Sequence, residues 1–135
     1  MSLEGVPPIK VEGLTIQARP HGATAAVLEL AGTLALRDPT PLLAPFFERL
    51  HAVMIATERR QLTVDMRELR FMNSSSFKSF VRWIKINDAL PADRRYAIHF
   101  LLSATHHWQE VSIHAMRCFS MEAISVEKAR PEAGR

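Results

Sequence analysis

The hydrophobic pattern changes period several times along the chain, and each change predicts an element. Ile9 to Gln17 partly alternates apolar and polar residues, which predicts a strand with a break at Gly13. Arg19-Pro20-His21-Gly22 has turn composition. Thr24 to Ala35 carries Val27, Leu28, Leu30 and Leu34 with Glu29 as its single charge, so it reads as a second strand, antiparallel to the first. Gly32 inside it marks a bulge or a close backbone approach. After the break at Arg37-Asp38-Pro39, Thr40 is a natural N-cap and Pro41 suits a first helical position. Leu42, Leu43, Phe46, Phe47, Leu50, Val53 and Met54 then recur every three or four residues and predict one helix, closed by Arg59 and Arg60.

The second half alternates strand and helix. Gln61 to Met66 reads as a strand, Arg67 to Met72 as a link, and Asn73-Ser74-Ser75-Ser76 as a cluster of capping residues. Phe77, Phe80, Val81, Ile84 and Asp88 mark a second helix ending near Leu90-Pro91. Tyr96 to Leu102 is a buried strand. Ser103 to Phe119 is a third helix with Trp108, Val111, Ala115, Cys118 and Phe119 facing inward, and Met121 to Val126 is a last strand. The predicted order is β-β-α-β-α-β-α-β. Helices between successive strands require parallel neighbours, and the opening hairpin makes the sheet mixed. This is an α/β single domain with its helices packed on one face. Residues 1–8 read as a flexible arm, 9–127 as the domain and 128–135 as a polar tail.

Composition narrows the class. The chain has 135 residues, 47% hydrophobic and 23% charged, which suits a single globular domain and excludes wholesale disorder. Cys118 is the only cysteine, so no internal disulfide exists, and a reducing compartment is expected. No apolar run has membrane-spanning length and the start lacks a signal-peptide pattern, so the expectation is a cytoplasmic protein without membrane attachment. The net charge of +3 is mild, and the aromatics sit within apolar patterns, which disfavours direct nucleic-acid binding.

The chemistry is concentrated at one point. Val64-Asp65-Met66-Arg67, then Leu69, then Phe71-Met72-Asn73-Ser74-Ser75 places serines where a strand passes into a helix. This run resembles the STAS domain, found in anti-sigma factor antagonists and the tails of sulfate transporters, and the element order matches as well. The family pattern is an apolar-Asp strand end, a short link and an Asp-Ser-Ser/Thr-Gly-Leu turn into a helix. Here Asn73 replaces the Asp, Ser76 the Gly and Phe77 the Leu, which marks a divergent branch.

The resemblance implies a non-enzymatic regulator without cofactor or metal. Ser74, or Ser75 beside it, is the implied phosphorylation site. The implied partners are an anti-sigma factor or serine kinase of ATP-binding fold, with a serine phosphatase to reset the mark. Asn73 and Ser76 belong to the implied contact. Lys78, Arg82 and Lys85 share one face of the same helix by their spacing, and would form a basic docking surface or a solvated one, which Arg67 and Arg70 could extend.

Charge explains how such a mark would act. A phosphoserine carries about −2. A partner carboxylate ~8 Å away, at an effective dielectric of about 20–40, is repelled by roughly 2–4 kcal/mol. That weakens binding by roughly 30- to 1000-fold.

Rival chemistries have weaker support. Asn and Ser before an apolar-periodic stretch are also ordinary helix caps. His107, His114 and Cys118 lie on one side of the third helix, yet they span ~16 Å, too far for one ion, and edge-of-core packing accounts for them better. A hydrolase would require His99 or His106 beside Ser74, and the chain has neither a Gly-x-Ser-x-Gly elbow nor a Walker loop. Asp65 reads as a strand-end residue paired with Arg67 or Arg70. The alternative to a phosphorylated regulator is a module of the same fold that binds a protein or a small ligand without phosphorylation, a ligand lying at the strand ends.

Overall fold

A computed structural model describes residues 2–129. Its elements are β1 (Ile9–Val11), β2 (Leu14–His21), β3 (Ala25–Leu34), α1 (Thr40–Ala56), β4 (Gln61–Met72), α2 (Ser74–Asp88), β5 (Ala97–Ser103), α3 (His107–Arg117) and β6 (Ile124–Ala129). The strands form one sheet in chain order. β1–β2 and β2–β3 are antiparallel, whereas β3–β4, β4–β5 and β5–β6 are parallel. Parallel neighbours in chain order need crossovers of one hand, which bring every helix to the same face. The expected mixed sheet with one helical layer is therefore present.

The break at Gly13 proves to be a full reversal that adds a strand to the predicted order. Gly13 and Gly32 both have positive φ, at 77° and 102°. A Cβ on Gly32 would lie 2.0 Å from the Gly13 carbonyl oxygen, so β3 carries glycine where the β1–β2 turn crosses it. That turn is also tied down by the Thr33 N–H, which donates to the Gly13 oxygen at 2.9 Å. Arg19, Pro20 and His21 continue β2 instead of forming the turn, which falls after His21.

Burial follows the strand period. Ile98, Phe100 and Leu102 of β5 are buried under the helices. Ala97, His99 and Leu101 alternate with them on the uncovered face. α1 contributes Leu43, Phe46, Phe47, Leu50 and Met54 to the core, and α2 contributes Phe80, Trp83 and Ile84. Phe47 and Trp83 stack across the α1–α2 contact with ring centroids 4.9 Å apart.

The predicted link after Met66 is part of β4. Register slips against β3 occur between Glu29 and Ala31 and between Gly32 and Thr33, and each inserts an extra β4 residue. Beyond Asp65, β4 no longer pairs with β5. The start of α3 takes over there. Gln109, completely buried, donates to the Met66 and Leu69 carbonyls and accepts from the Ser103 N–H. Trp108 Nε1 donates to the Arg70 carbonyl at 3.0 Å.

This polar plug turns α3 relative to the sequence expectation. Gln109, Ile113 and Met116 face inward, and Trp108 is half-buried against the core. Val111, Ala115, Cys118 and Phe119, expected inside, are exposed.

Both ends also differ from expectation. The segment read as a flexible arm is docked: Leu3 and Val6 are buried, and the Leu3 N–H donates to the Ala18 carbonyl at 2.7 Å. Those two side chains supply apolar surface that the period rules had no strand or helix to assign. Lys128 and Ala129, assigned to the tail, complete β6, and residues 130–135 of that tail lie outside the described residues. No helix among the described residues is long and apolar enough to cross a membrane.

Candidate functional site

The serine cluster forms the first turn of α2. Asn73 is its N-cap: Oδ1 accepts the Ser76 N–H at 2.9 Å, while Nδ2 donates to the Leu36 carbonyl at 2.8 Å. The Asn73 N–H donates to Leu34, the last residue of β3. The Asn73 side chain is thus committed within the fold, where it holds the start of α2 against the end of β3.

The cap register gives the three serines different environments. Ser74 and Ser75 are exposed. Ser76 is fully buried, and its Oγ has no hydrogen-bond partner. Its expected contact with a partner is therefore corrected: one helical step of about 100° carries it onto the inward stripe that continues through Phe80. The Phe77 N–H begins the helical ladder by donating to the Asn73 carbonyl, and Phe77 itself is half-buried. Met72 is buried, whereas Phe71 is 49% exposed, because the second register slip turns Phe71 outward.

Lys78, Arg82 and Lys85 are exposed along α2, as their spacing required. None of them joins an ion pair among the described residues. The Lys85 ammonium lies over the Phe119 ring, 4.8 Å from its centroid. Phe77, Val81, Ile86 and Phe119 line an open groove between α2 and the residues after α3, edged by these three cations.

Asp65 pairs with Arg67 as expected. Arg67 donates from Nε and Nη2 to the two carboxylate oxygens, at 3.0 and 2.9 Å, and from its backbone N–H. Partial burial pushes the Asp65 carboxyl up, but the hydrogen bonds from Arg67 outweigh it and hold the group below the usual carboxylate range. The ion pair fixes the strand that leads into the serine turn.

Among the described residues, neither histidine raised as a possible base is hydrogen-bonded to Ser74. His99 is on the uncovered sheet face, where Nδ1 is 2.6 Å from Ser125 Oγ and Nε2 is 3.0 Å from Glu127 Oε1. His106 is the N-cap residue of α3. His107, His114 and Cys118 are exposed, not edge-of-core, because of the rotation of α3. Among the described residues no three metal-ligating side chains are gathered.

One feature of the site escaped the sequence reading. A groove of about 390 Å³ lies between α1 and α2, with Ser75, Lys78 and Arg82 on its α2 side and His51 on its α1 side. Behind it a polar relay runs into the core: Trp83 Nε1 donates to the Tyr96 hydroxyl at 2.8 Å, and that hydroxyl is 2.8 Å from His51 Nδ1. Burial lowers the His51 pKa and raises that of Tyr96. The available signal was a histidine one turn after Phe47 inside an otherwise apolar stripe.

No family model matches the chain, and no curated protein matches it. Several solved structures share the fold, including the following two. One is a chain in the crystal structure of the diguanylate cyclase SiaD in complex with its activator SiaC from Pseudomonas aeruginosa. It has a TM-score of 0.62 and 14% identity, over 86% of this chain and 92% of that one. The other is an anti-sigma factor antagonist from Mycobacterium paratuberculosis, with a TM-score of 0.53 and 13% identity, over 87% and 86% of the two chains. The chain therefore has the STAS-like fold of an anti-sigma factor antagonist.

Proposed function

We propose that this protein is a non-enzymatic regulator that acts by binding another protein through the start and exposed face of α2. Its binding is switched by phosphorylation of Ser74 or Ser75. The observation that carries this reading is the pair of exposed serines at the capped start of α2, directly before the cations Lys78, Arg82 and Lys85. Neither serine needs the helix to open to meet a modifying enzyme. A phosphate there also lies at the positive end of the helix dipole, where added negative charge is tolerated without unfolding. The protein's surface charge then changes while its fold does not.

The shared fold supports a regulatory role for partner binding: one similar structure is an anti-sigma factor antagonist, and the other is a cyclase in complex with its activator. The partner proposed here is an anti-sigma factor or a serine kinase of ATP-binding fold, with a serine phosphatase to remove the mark. Lys78, Arg82 and Lys85 would meet acidic groups on that partner.

Peptide mapping of the protein recovered from its native cell tests the switch. The expected result is one phosphate on Ser74 or Ser75, lost in the corresponding alanine variant, and weaker partner capture by the Ser→Asp variant. Protein unmodified under every growth condition, or a phosphate on Ser76, would overturn it.

A further inference from the structure

We propose that the groove between α1 and α2 binds a small zwitterion with an apolar body, the chemical class of free amino acids and dipeptides. The groove shares Ser75, Lys78 and Arg82 with the proposed docking face, but binding of a small ligand there does not require phosphorylation. The groove's volume of about 390 Å³ lies within the range of roughly 300–1,000 Å³ for small-molecule pockets. Phe47 and Trp83, stacked on each other, supply its apolar floor, and Ile86 adds to it.

The charges explain the choice of ligand. Lys78 and Arg82 line the α2 side; Asp38 and Glu48 come from α1 and the turn before it. The two sets have equal and opposite charge, yet none of the ion pairs among the described residues joins them. A purely anionic ligand would leave Asp38 and Glu48 facing it, and a purely cationic one would leave Lys78 and Arg82. A molecule with a carboxylate at one end and an ammonium at the other satisfies both sides, with its side chain on the Phe47–Trp83 floor.

His51 adds a fixed donor. An indole N–H can only donate, so the Tyr96 oxygen accepts from Trp83. Donation of the buried Tyr96 O–H to His51 Nδ1 satisfies both groups, and we assign the imidazole proton to Nε2 on that ground. Nε2 has no partner among the described residues, and His51 lines the groove, so its N–H is available to a ligand carboxylate or carbonyl.

The test is a titration of the whole protein with L-phenylalanine and with the dipeptide Phe-Leu, followed by amide chemical shifts. Saturable shifts centred on His51, Lys78 and Arg82 are expected in the millimolar range or tighter. Amidating the dipeptide carboxylate should weaken binding by about tenfold in the parent but leave Arg82→Ala little changed. Acetylating its amine should do the same with respect to Glu48→Ala. Both side chains are exposed, so the variants retain the fold. No saturable shift with either probe, shifts centred on another surface, or equal binding of the capped and uncapped dipeptides would overturn the assignment.

Discussion

The side-chain amide of Gln109 lies 2.7 Å from the carbonyl oxygen of Leu69, and the same nitrogen reaches the Met66 carbonyl. Both carbonyls belong to the irregular half of β4, where the ladder to β5 has ended. Gln109→Leu keeps the volume but removes both donors and the acceptor for Ser103. Its expected cost is about 2–4 kcal/mol, because buried groups are left without partners. Urea unfolding measures it, and the loss should greatly exceed that of the exposed neighbour substitution Val111→Ala.

Gly32→Ala should be among the most damaging single changes. The added Cβ meets backbone, not a flexible side chain, and the φ of 102° disfavours any residue but glycine. A loss of about 3 kcal/mol or more is expected, read as a lower unfolding midpoint or loss of soluble protein. Gly22→Ala is the comparison: it too has positive φ, but its Cβ enters open space, so its cost should be smaller.

Tyr96→Phe should cost about 1–3 kcal/mol, since Trp83 Nε1 and His51 Nδ1 lose their shared partner. The relay also sets a pH dependence. Burial lowers the His51 pKa below its ordinary 6.5, so the unfolded chain takes up the proton first. Stability is then full above about pH 6.5 and falls as pH drops through the folded-state value. Thermal unfolding across about pH 5–7 should show this decline, and His51→Gln should flatten it.

Asn73→Ala should destabilise the protein by about 1–2 kcal/mol, as the Ser76 N–H and the Leu36 carbonyl both lose a partner. Asn73→Asp keeps the acceptor for Ser76 but loses the donor to Leu36, and should fall between the two. Hydrogen exchange at Ser76 distinguishes a lost cap from a general loss of stability.

The elements that obey one period were legible in the sequence. α1, α2 and β5 follow from apolar spacing, and the Gly32 close approach followed from a glycine inside a strand. The second half of β4 was not legible, because two extra residues break its alternation and mimic a link. The rotation of α3 was hidden because its inward face is led by a glutamine, which no hydrophobic pattern counts as core. At the site, the exposure of Ser74 and Ser75 was implicit in the helix start. The burial of Ser76 required knowing that Asn73 is the cap. The groove depends on how α1 meets α2, a relation between distant segments that local spacing does not encode.

Ser74 and Ser75 are neighbours in sequence but not equivalent addresses. Ser75 borders the α1–α2 groove, whereas Ser74 borders none of the described cavities. A negative group placed on Ser75 would sit beside the groove's own cations, and the same group on Ser74 would project from the helix tip. Which hydroxyl an enzyme selects would therefore decide whether the message reaches the groove or only the outer docking face.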